Sequence, residues 1–275
     1  MILNNSQSSN QKCALQFSCH LLLACALILC SALPCRAEDA ALAKLFQERS
    51  IDGTIILASV DGTTEHLHND KRALTRLVTA STFKIPNSLI ALEEGVIKNE
   101  REVIKWDGND SGFPACNKDQ NLQTAFSNSC VWFYQELAGR IGPEKYKEHL
   151  KKLDYGNQKT TPELTTFWLA GDLMITPKEQ IAFLKKLYAD RLPYRPEAIE
   201  TVKKIMVNEQ TPNYTLRAKT GWAMGITPQI GWFVGYVEAK GQVWFFATNI
   251  VITKTSDLAL RKELTMSALR AKGII

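Results

Sequence analysis

Leu77-Val78-Thr79-Ala80-Ser81-Thr82-Phe83-Lys84-Ile85-Pro86-Asn87-Ser88-Leu89-Ile90-Ala91-Leu92 sets an apolar lead-in, a hydroxyl, an amine three residues later and then a helical apolar face. Residues three apart share one side of a helix, so Ser81 and Lys84 have the spacing a serine nucleophile needs if lysine is to take its proton. The apolar residues before and after the pair turn that face toward a core. A lysine held there is desolvated, which disfavours its charged form. Gly95 closes the pattern as a helix C-terminal cap. Alone, an S-x-x-K pair is common on solvated helices, and its weight comes from what surrounds it.

Toward the N-terminus, the residues up to about Cys19 are polar with Lys12 as their one charge, Leu21 to Leu33 is almost wholly apolar, and Cys35-Arg36-Ala37 ends in a small residue. This predicts a cleavable secretory signal peptide over residues 1–37, a mature chain from Glu38 and a periplasmic location. The apolar run of roughly 13 residues is short of the ~20 that cross a bilayer, so no stable membrane anchor is expected. The leader takes Lys12 and Arg36 from 33 basic residues and none from 28 acidic ones, leaving a net charge near +3. With no basic run interleaved with aromatics, nucleic-acid binding is not expected. Five of the seven cysteines also fall in the leader. Cys116 and Cys130 remain, and a disulfide or two buried thiols are both open readings. His66, His68 and His149 are scattered, without the spacing of a metal site.

The remaining 238 or so residues suit one domain of 38–275, or two lobes sharing a sheet. A helix is predicted near Ala40–Arg49, then a hairpin of Gly53–Ser59 and Thr64–His68 turning through Asp61-Gly62. Helical signals run from Ser81 to about Tyr188, with a helical lobe at roughly 85–190. Strands return from Leu216, with Ile230–Val237 and Gln242–Ile252 joined through Ala239-Lys240-Gly241, and a final helix spans about Ser256–Lys272. Strands at both ends with helices between them imply an α+β fold: a central antiparallel sheet flanked by helices, with an adjoining all-helical subdomain. The nucleophile then lies at the seam of the lobes, where clefts form.

Three further motifs follow in order. Ser129-Cys130-Val131 precedes a helical segment and offers a second hydroxyl; Tyr155-Gly156-Asn157 reads as a turn; Lys219-Thr220-Gly221 lies in a strand, with lysine and threonine on opposite faces. Lys254-Thr255-Ser256 is a near decoy. S-x-x-K, S-x-V, Y-G-N and K-T-G in this order resemble the class D serine beta-lactamases, across essentially the whole mature chain. Phe167-Trp168-Leu169, Ile230-Gly231-Trp232-Phe233-Val234-Gly235 and Leu260-Arg261-Lys262 match further characteristic tracts of that family. Class A enzymes fit less well: S-D-N is absent, and Glu163, the nearest candidate for their glutamate base, has the wrong sequence after it.

The resemblance implies a serine beta-lactamase fold and hydrolysis of beta-lactams through an acyl-enzyme on Ser81. It further implies that Lys84 acts as general base after carboxylation by carbon dioxide or bicarbonate, in a pocket of Phe83, Val131, Leu169 and Trp168. Ser129 and Lys219 would relay a proton to the leaving nitrogen, and the backbone N–H groups of Ser81 and Trp222 would hold the oxyanion. Thr220, Gly221 and Arg261 would bind the substrate carboxylate. Trp222-Ala223-Met224-Gly225 resembles a loop of some carbapenem-hydrolysing members, in which Met224 and an aromatic such as Phe113 bridge the cleft. No metal or organic cofactor is implied, and a homodimer stays open. The rival readings are a penicillin-sensing receptor domain or a transpeptidase, either of which acylates without turnover.

Overall fold

The computed structural model describes residues 38–275, so the leader expected over residues 1–37 lies outside the described residues. Asp39 caps helix α1 (Ala40–Glu48) by accepting from the N–H groups of Ala41 and Leu42. Strands β1 (Gly53–Ser59) and β2 (Glu65–His68) form the expected hairpin, with Gly62 at φ +76° in its turn. A short helix α2 (Asp70–Ala73) and strand β3 (Leu77–Val78) lead to a 3₁₀ turn, Ala80–Phe83, that runs straight into α3 (Lys84–Glu93). Strands β4 (Val103–Ile104) and β5 (Gln120–Asn121) pair, and α4 (Leu122–Asn128), α5 (Val131–Ile141) and α6 (Pro143–Leu153) follow. Next come β6 (Met174–Ile175), α7 (Pro177–Tyr188) and α8 (Pro196–Ile205). Strands β7 (Val207–Gln210), β8 (Tyr214–Ala223), β9 (Gln229–Ala239) and β10 (Gln242–Ile252) return to the sheet. A 3₁₀ turn, Thr255–Ala259, opens into α9 (Leu260–Ala271), which ends before Gly273 at φ +66°.

The six-stranded sheet is antiparallel throughout, in the order β2-β1-β10-β9-β8-β7. The two ends of the chain meet where β1 pairs with β10, which is the α+β architecture that strands at both ends implied. Strand alternation divides the interior in two. On one face Ile55, Leu57, Phe233, Val237, Phe246 and Ile250 pack with Leu42 and Phe46 of α1 and Leu264 and Leu269 of α9. On the other, Ile56, Ala58, Trp232, Val234, Tyr236 and Phe245 join the larger core built with the helices. The hairpin between β9 and β10 closes through Lys240 and Gly241, both at positive φ, as a two-residue turn requires.

Several elements were not anticipated: α2, the two-residue strands β3, β4, β5 and β6, helix α8 and strand β7. The edge strand β7 is Val-Asn-Glu-Gln, largely exposed, so neither apolar alternation nor burial marks it. Helix α8 carries the helical part of the chain on to Ile205, and α7 packs on β1, β9 and β10. The β3–β6 pair, Leu77 with Ile175 and Val78 with Met174, ties the segment ahead of Ser81 to the far end of the 157–174 loop. No helix among the described residues is long and apolar enough to cross a membrane.

Candidate active site

Ser81 sits in the 3₁₀ turn rather than in the α-helix proper, and Lys84 is the first residue of α3. With three residues per turn, side chains at i and i+3 eclipse. Lys84 Nζ accordingly donates to Ser81 Oγ over 2.8 Å. Ala80, just ahead of the nucleophile, has φ +48°, a left-handed conformation that costs a non-glycine residue energy and is sustained by the structure around it. Lys84 is fully buried, and its amine is driven well below the ordinary lysine range by desolvation first and by the neighbouring Lys219 second. Its Nζ lies 5.1 Å over the ring of Tyr134, whose hydroxyl meets Ser88 Oγ at 2.9 Å, while Ser88 donates to the Lys84 carbonyl at 2.7 Å. Tyr134 and Ser88 are site residues that motif reading missed. Tyr134 lies one helical turn after the half-buried Val131 on α5, on the side that faces Lys84.

Phe83 stands at the centre of an aromatic cluster, its ring centroid 5.3 Å from Phe167, 5.8 Å from Trp168 and from Tyr155, and 6.1 Å from Tyr146. Trp168 is fully buried and its Nε1–H has no hydrogen-bond partner. Leu169 packs half-buried on the same core. The loop carrying Trp168 is pinned from both sides. Thr79 Oγ1 donates to the Trp168 carbonyl at 3.2 Å, and Thr79 N–H to the Leu173 carbonyl at 3.3 Å. Asn157 takes the Met174 N–H at 3.0 Å and gives its amide to the Asp172 carbonyl at 2.6 Å. Gly156 has φ +55°, and a Cβ there would stand 2.2 Å from the Met174 carbonyl oxygen, so no other residue fits. The Y-G-N turn is therefore a clasp for the Trp168 loop. Glu163, on that loop, is exposed and bonded to Thr165.

Ser129 occupies the break between α4 and α5 with φ +60°. Lys219 reaches its hydroxyl at 3.1 Å and curls back to the Thr220 carbonyl at 3.2 Å and hydroxyl at 3.4 Å, although the two side chains start from opposite faces of β8. Burial, and next the charge of Arg261, brings the Lys219 amine down to about 7. Gly221 lets β8 press against the turn that carries Ser81: a Cβ would lie 3.2 Å from Thr82 Cγ2. Trp222 follows Gly221 along β8, opposite Gly231. Arg261, in the first turn of α9, donates from Nη1 to the Gly221 carbonyl at 2.7 Å and from Nε to the Leu258 carbonyl at 2.6 Å. Burial lowers its pKa to about 10, so it stays charged at neutral pH.

A cavity of about 150 Å³ runs against Lys219 and Thr220, and a wider depression of about 440 Å³ lies beside Trp222 and Met224. Met224 and Phe113 are each 48% exposed. Cys116 and Cys130 form a disulfide, resolving the alternative the sequence left open. Among the described residues no group of three or more His, Cys, Asp or Glu could hold a metal ion.

This arrangement pairs a serine with a buried amine of lowered pKa on one wall and a serine, a lysine and a guanidinium on the other, which is equipment for acyl transfer from a carboxylate-bearing substrate to a serine. A family model for the penicillin-binding protein transpeptidase domain matches residues 55–270. The chain is 41% identical to beta-lactamase OXA-48 of Klebsiella pneumoniae over 84% of its length and 87% of that protein. It is 36% identical to beta-lactamase OXA-10 of Pseudomonas aeruginosa, over 86% and 91%. Among solved structures it superposes on a class D beta-lactamase from Nostoc with a TM-score of 0.84 at 46% identity, covering 85% of this chain and 99% of that one. It also superposes on FUS-1 (OXA-85) from Fusobacterium nucleatum subsp. polymorphum with a TM-score of 0.85 at 35% identity, covering 87% and 100%. The chain belongs to the class D serine beta-lactamases.

Proposed function

We propose that this chain opens the beta-lactam amide by acylating Ser81 and then hydrolyses the ester, with Lys84 serving as base in both halves. The observation that carries this reading is the fully buried Lys84 amine, 2.8 Å from Ser81 Oγ and depressed in pKa. An amine that is neutral at working pH can take a hydroxyl proton; an ammonium cannot.

In the first half, Ser81 Oγ bonds to the lactam carbonyl carbon as its proton passes to the Lys84 side chain. The developing oxyanion is held between the backbone N–H groups of Ser81 and Trp222, each worth on the order of 3 kcal/mol in such sites. The C–N bond then breaks, and the leaving nitrogen takes a proton from Ser129 Oγ, which Lys219 resupplies across 3.1 Å. A Lys219 pKa of about 7 leaves both of its protonation states accessible at neutral pH. Thr220 and Arg261 take the substrate carboxylate; two of the five guanidinium N–H donors are spent on backbone carbonyls, which fixes the plane that the others present. Between the halves Lys84, whose depressed pKa favours release, gives up that proton to solvent and Lys219 regains one. In the second half a water attacks the ester carbonyl and passes its proton to Lys84, which hands it to Ser81 Oγ as the ester C–O bond breaks.

Carboxylation of Lys84 fits this pocket. Only a neutral amine reacts with carbon dioxide, and the resulting carbamate supplies an anionic base in place of a bare amine. Trp168 Nε1, an orphaned donor in the same core, and the Ser81 hydroxyl would hold it. Phe83, Leu169 and Val131 keep the surroundings apolar. The test is bicarbonate: turnover lost at mildly acidic pH should return on its addition, with Lys84 gaining one carbon dioxide by mass. Indifference to bicarbonate, with Lys84 never gaining carbon dioxide, would contradict carboxylation.

The substrates are penicillins and related beta-lactams, with Phe113 and Met224 as exposed apolar walls for their substituents. Secretion to the periplasm by a cleaved leader is consistent with the Cys116–Cys130 disulfide, since such bonds persist in oxidising compartments.

A further inference from the structure

The proposed mechanism leaves the Cys116–Cys130 bridge without a role, although it ties the turn that follows Phe113 to the break that carries Ser129. Cys116 ends the 3₁₀ turn Pro114–Cys116, whose N-cap residue is Phe113, and the Cys116 N–H bonds the Phe113 carbonyl at 2.8 Å. The turn is also held by Trp132 Nε1, which donates to the Cys116 carbonyl at 2.8 Å, and by Gln120 Nε2, which donates to the Ala115 carbonyl at 3.0 Å. Cys130 directly follows Ser129, the residue at φ +60° whose hydroxyl meets Lys219. Both half-cystines are buried, at 1% and 0% exposure. One rigid path therefore runs from the exposed Phe113 ring through the turn and the disulfide to the Ser129 hydroxyl.

A serine in the left-handed region has a conformation its own side chain does not favour, and the neighbours must impose it. On one side Ser129 N–H bonds the Phe126 carbonyl at 3.2 Å, and Cys130 N–H bonds the Ala125 carbonyl at 2.9 Å. The sulfur bridge is the constraint from the other side. It acts on the elements that carry Ser129 and Phe113, whereas Ser81, Lys84 and Trp168 stand on the Ala80–Phe83 turn, α3 and the clasped 157–174 loop.

We infer that the Cys116–Cys130 disulfide is a positioning device for acylation: it aims Ser129 at the leaving nitrogen and sets the Phe113 wall against the substrate's substituent, so that one covalent link couples proton delivery to substrate selection. The inference rests on the roles given to Ser129 and Phe113 above. It separates the two halves of the reaction, because deacylation uses Ser81, Lys84 and water, while Val131 and Tyr134, which follow Cys130 toward Lys84, are held by the hydrogen bonds of α5 itself.

The test compares the oxidised chain with the Cys116→Ala/Cys130→Val double variant by stopped flow. Acylation and deacylation rates are resolved with benzylpenicillin and with a cephalosporin bearing a large 3-substituent. Acylation is expected to fall on the order of 10–100-fold, as small misplacements of a reacting group do, while deacylation stays within about twofold of the oxidised chain. The loss should differ between the two substrates. Should the double variant not fold, the oxidised chain treated with a phosphine until both thiols are free by mass serves for the same measurement. A melting temperature that falls while acylation is unchanged makes the bridge a plain staple and overturns the inference, as does an equal fall in both rates. Absence of turnover by the oxidised chain itself would instead overturn the Ser81–Lys84 reading.

Discussion

The stem of Arg261 lies flat on Gly231: a Cβ at that glycine would stand 2.6 Å from Arg261 Cδ and 2.9 Å from Ile252 Cδ1. Gly231 is opposite Trp222 in the sheet, so the missing side chain is what lets the guanidinium reach the Gly221 carbonyl beside the cleft.

Gly231→Ala should therefore act through Arg261. Charge-assisted hydrogen bonds contribute about 1.5–3 kcal/mol, so Arg261→Ala is expected to raise KM for carboxylate-bearing beta-lactams roughly 10–100-fold. Gly231→Ala should raise it in the same direction by less, with a lower melting temperature from overpacking. Steady-state kinetics of both variants check this; an unchanged KM in Gly231→Ala would mean the stem contact does not place the guanidinium.

Trp168→Phe removes a buried donor that has no acceptor in the bare pocket. Such a group costs about 1–3 kcal/mol, so without bicarbonate the variant should melt no lower than the parent. Its turnover should nonetheless fall, and bicarbonate should no longer restore it. A variant that melts lower and still responds to bicarbonate would show the indole to be packing alone.

Lys219 is buried with a pKa of about 7 against an ordinary 10.5. Between those values the unfolded chain binds a proton that the native chain does not, so this group makes stability rise as pH increases from about 7 to about 10.4. Lys84, depressed in the same direction, adds to the slope. Lys219→Met should flatten the dependence and raise the melting temperature at pH 7 while abolishing efficient turnover. Thermal melts across that window read it directly; parallel curves for parent and variant would contradict the buried neutral amine.

Much of this was legible in the letters because the signals are local. The Ser81–Lys84 meeting follows from three-residue spacing, and strand alternation in Ile55–Ala58 or Ile230–Val237 fixes which side chains enter which core. What the sequence withheld depends on separation in space. Cys116 and Cys130 are 14 residues apart, and only the fold brings their Cα atoms to 5.4 Å. Tyr134 reads as one more apolar position of α5 until the packing of α5 on α3 puts its ring under Lys84. Asn157 reads as a loop residue until its contacts with Asp172 and Met174 show what it clasps. Arg261 alone reads as a surface charge and is marked as a carboxylate ligand only by the family resemblance, because its reach to Gly221 requires α9 to lie on the face that Gly231 leaves open.

On the proposed reading Lys84 completes the cycle rather than leaving Ser81 acylated. Benzylpenicillin loss by purified residues 38–275, followed by ultraviolet absorbance at large substrate excess, tests it most directly. On that reading all the substrate should be lost over many turnovers, with turnover abolished in Ser81→Ala and reduced about 10²–10⁴-fold in Lys84→Met, the range general-base removal gives. A burst of one equivalent that then stops would contradict it, leaving a chain that acylates as a sensor or a transpeptidase does.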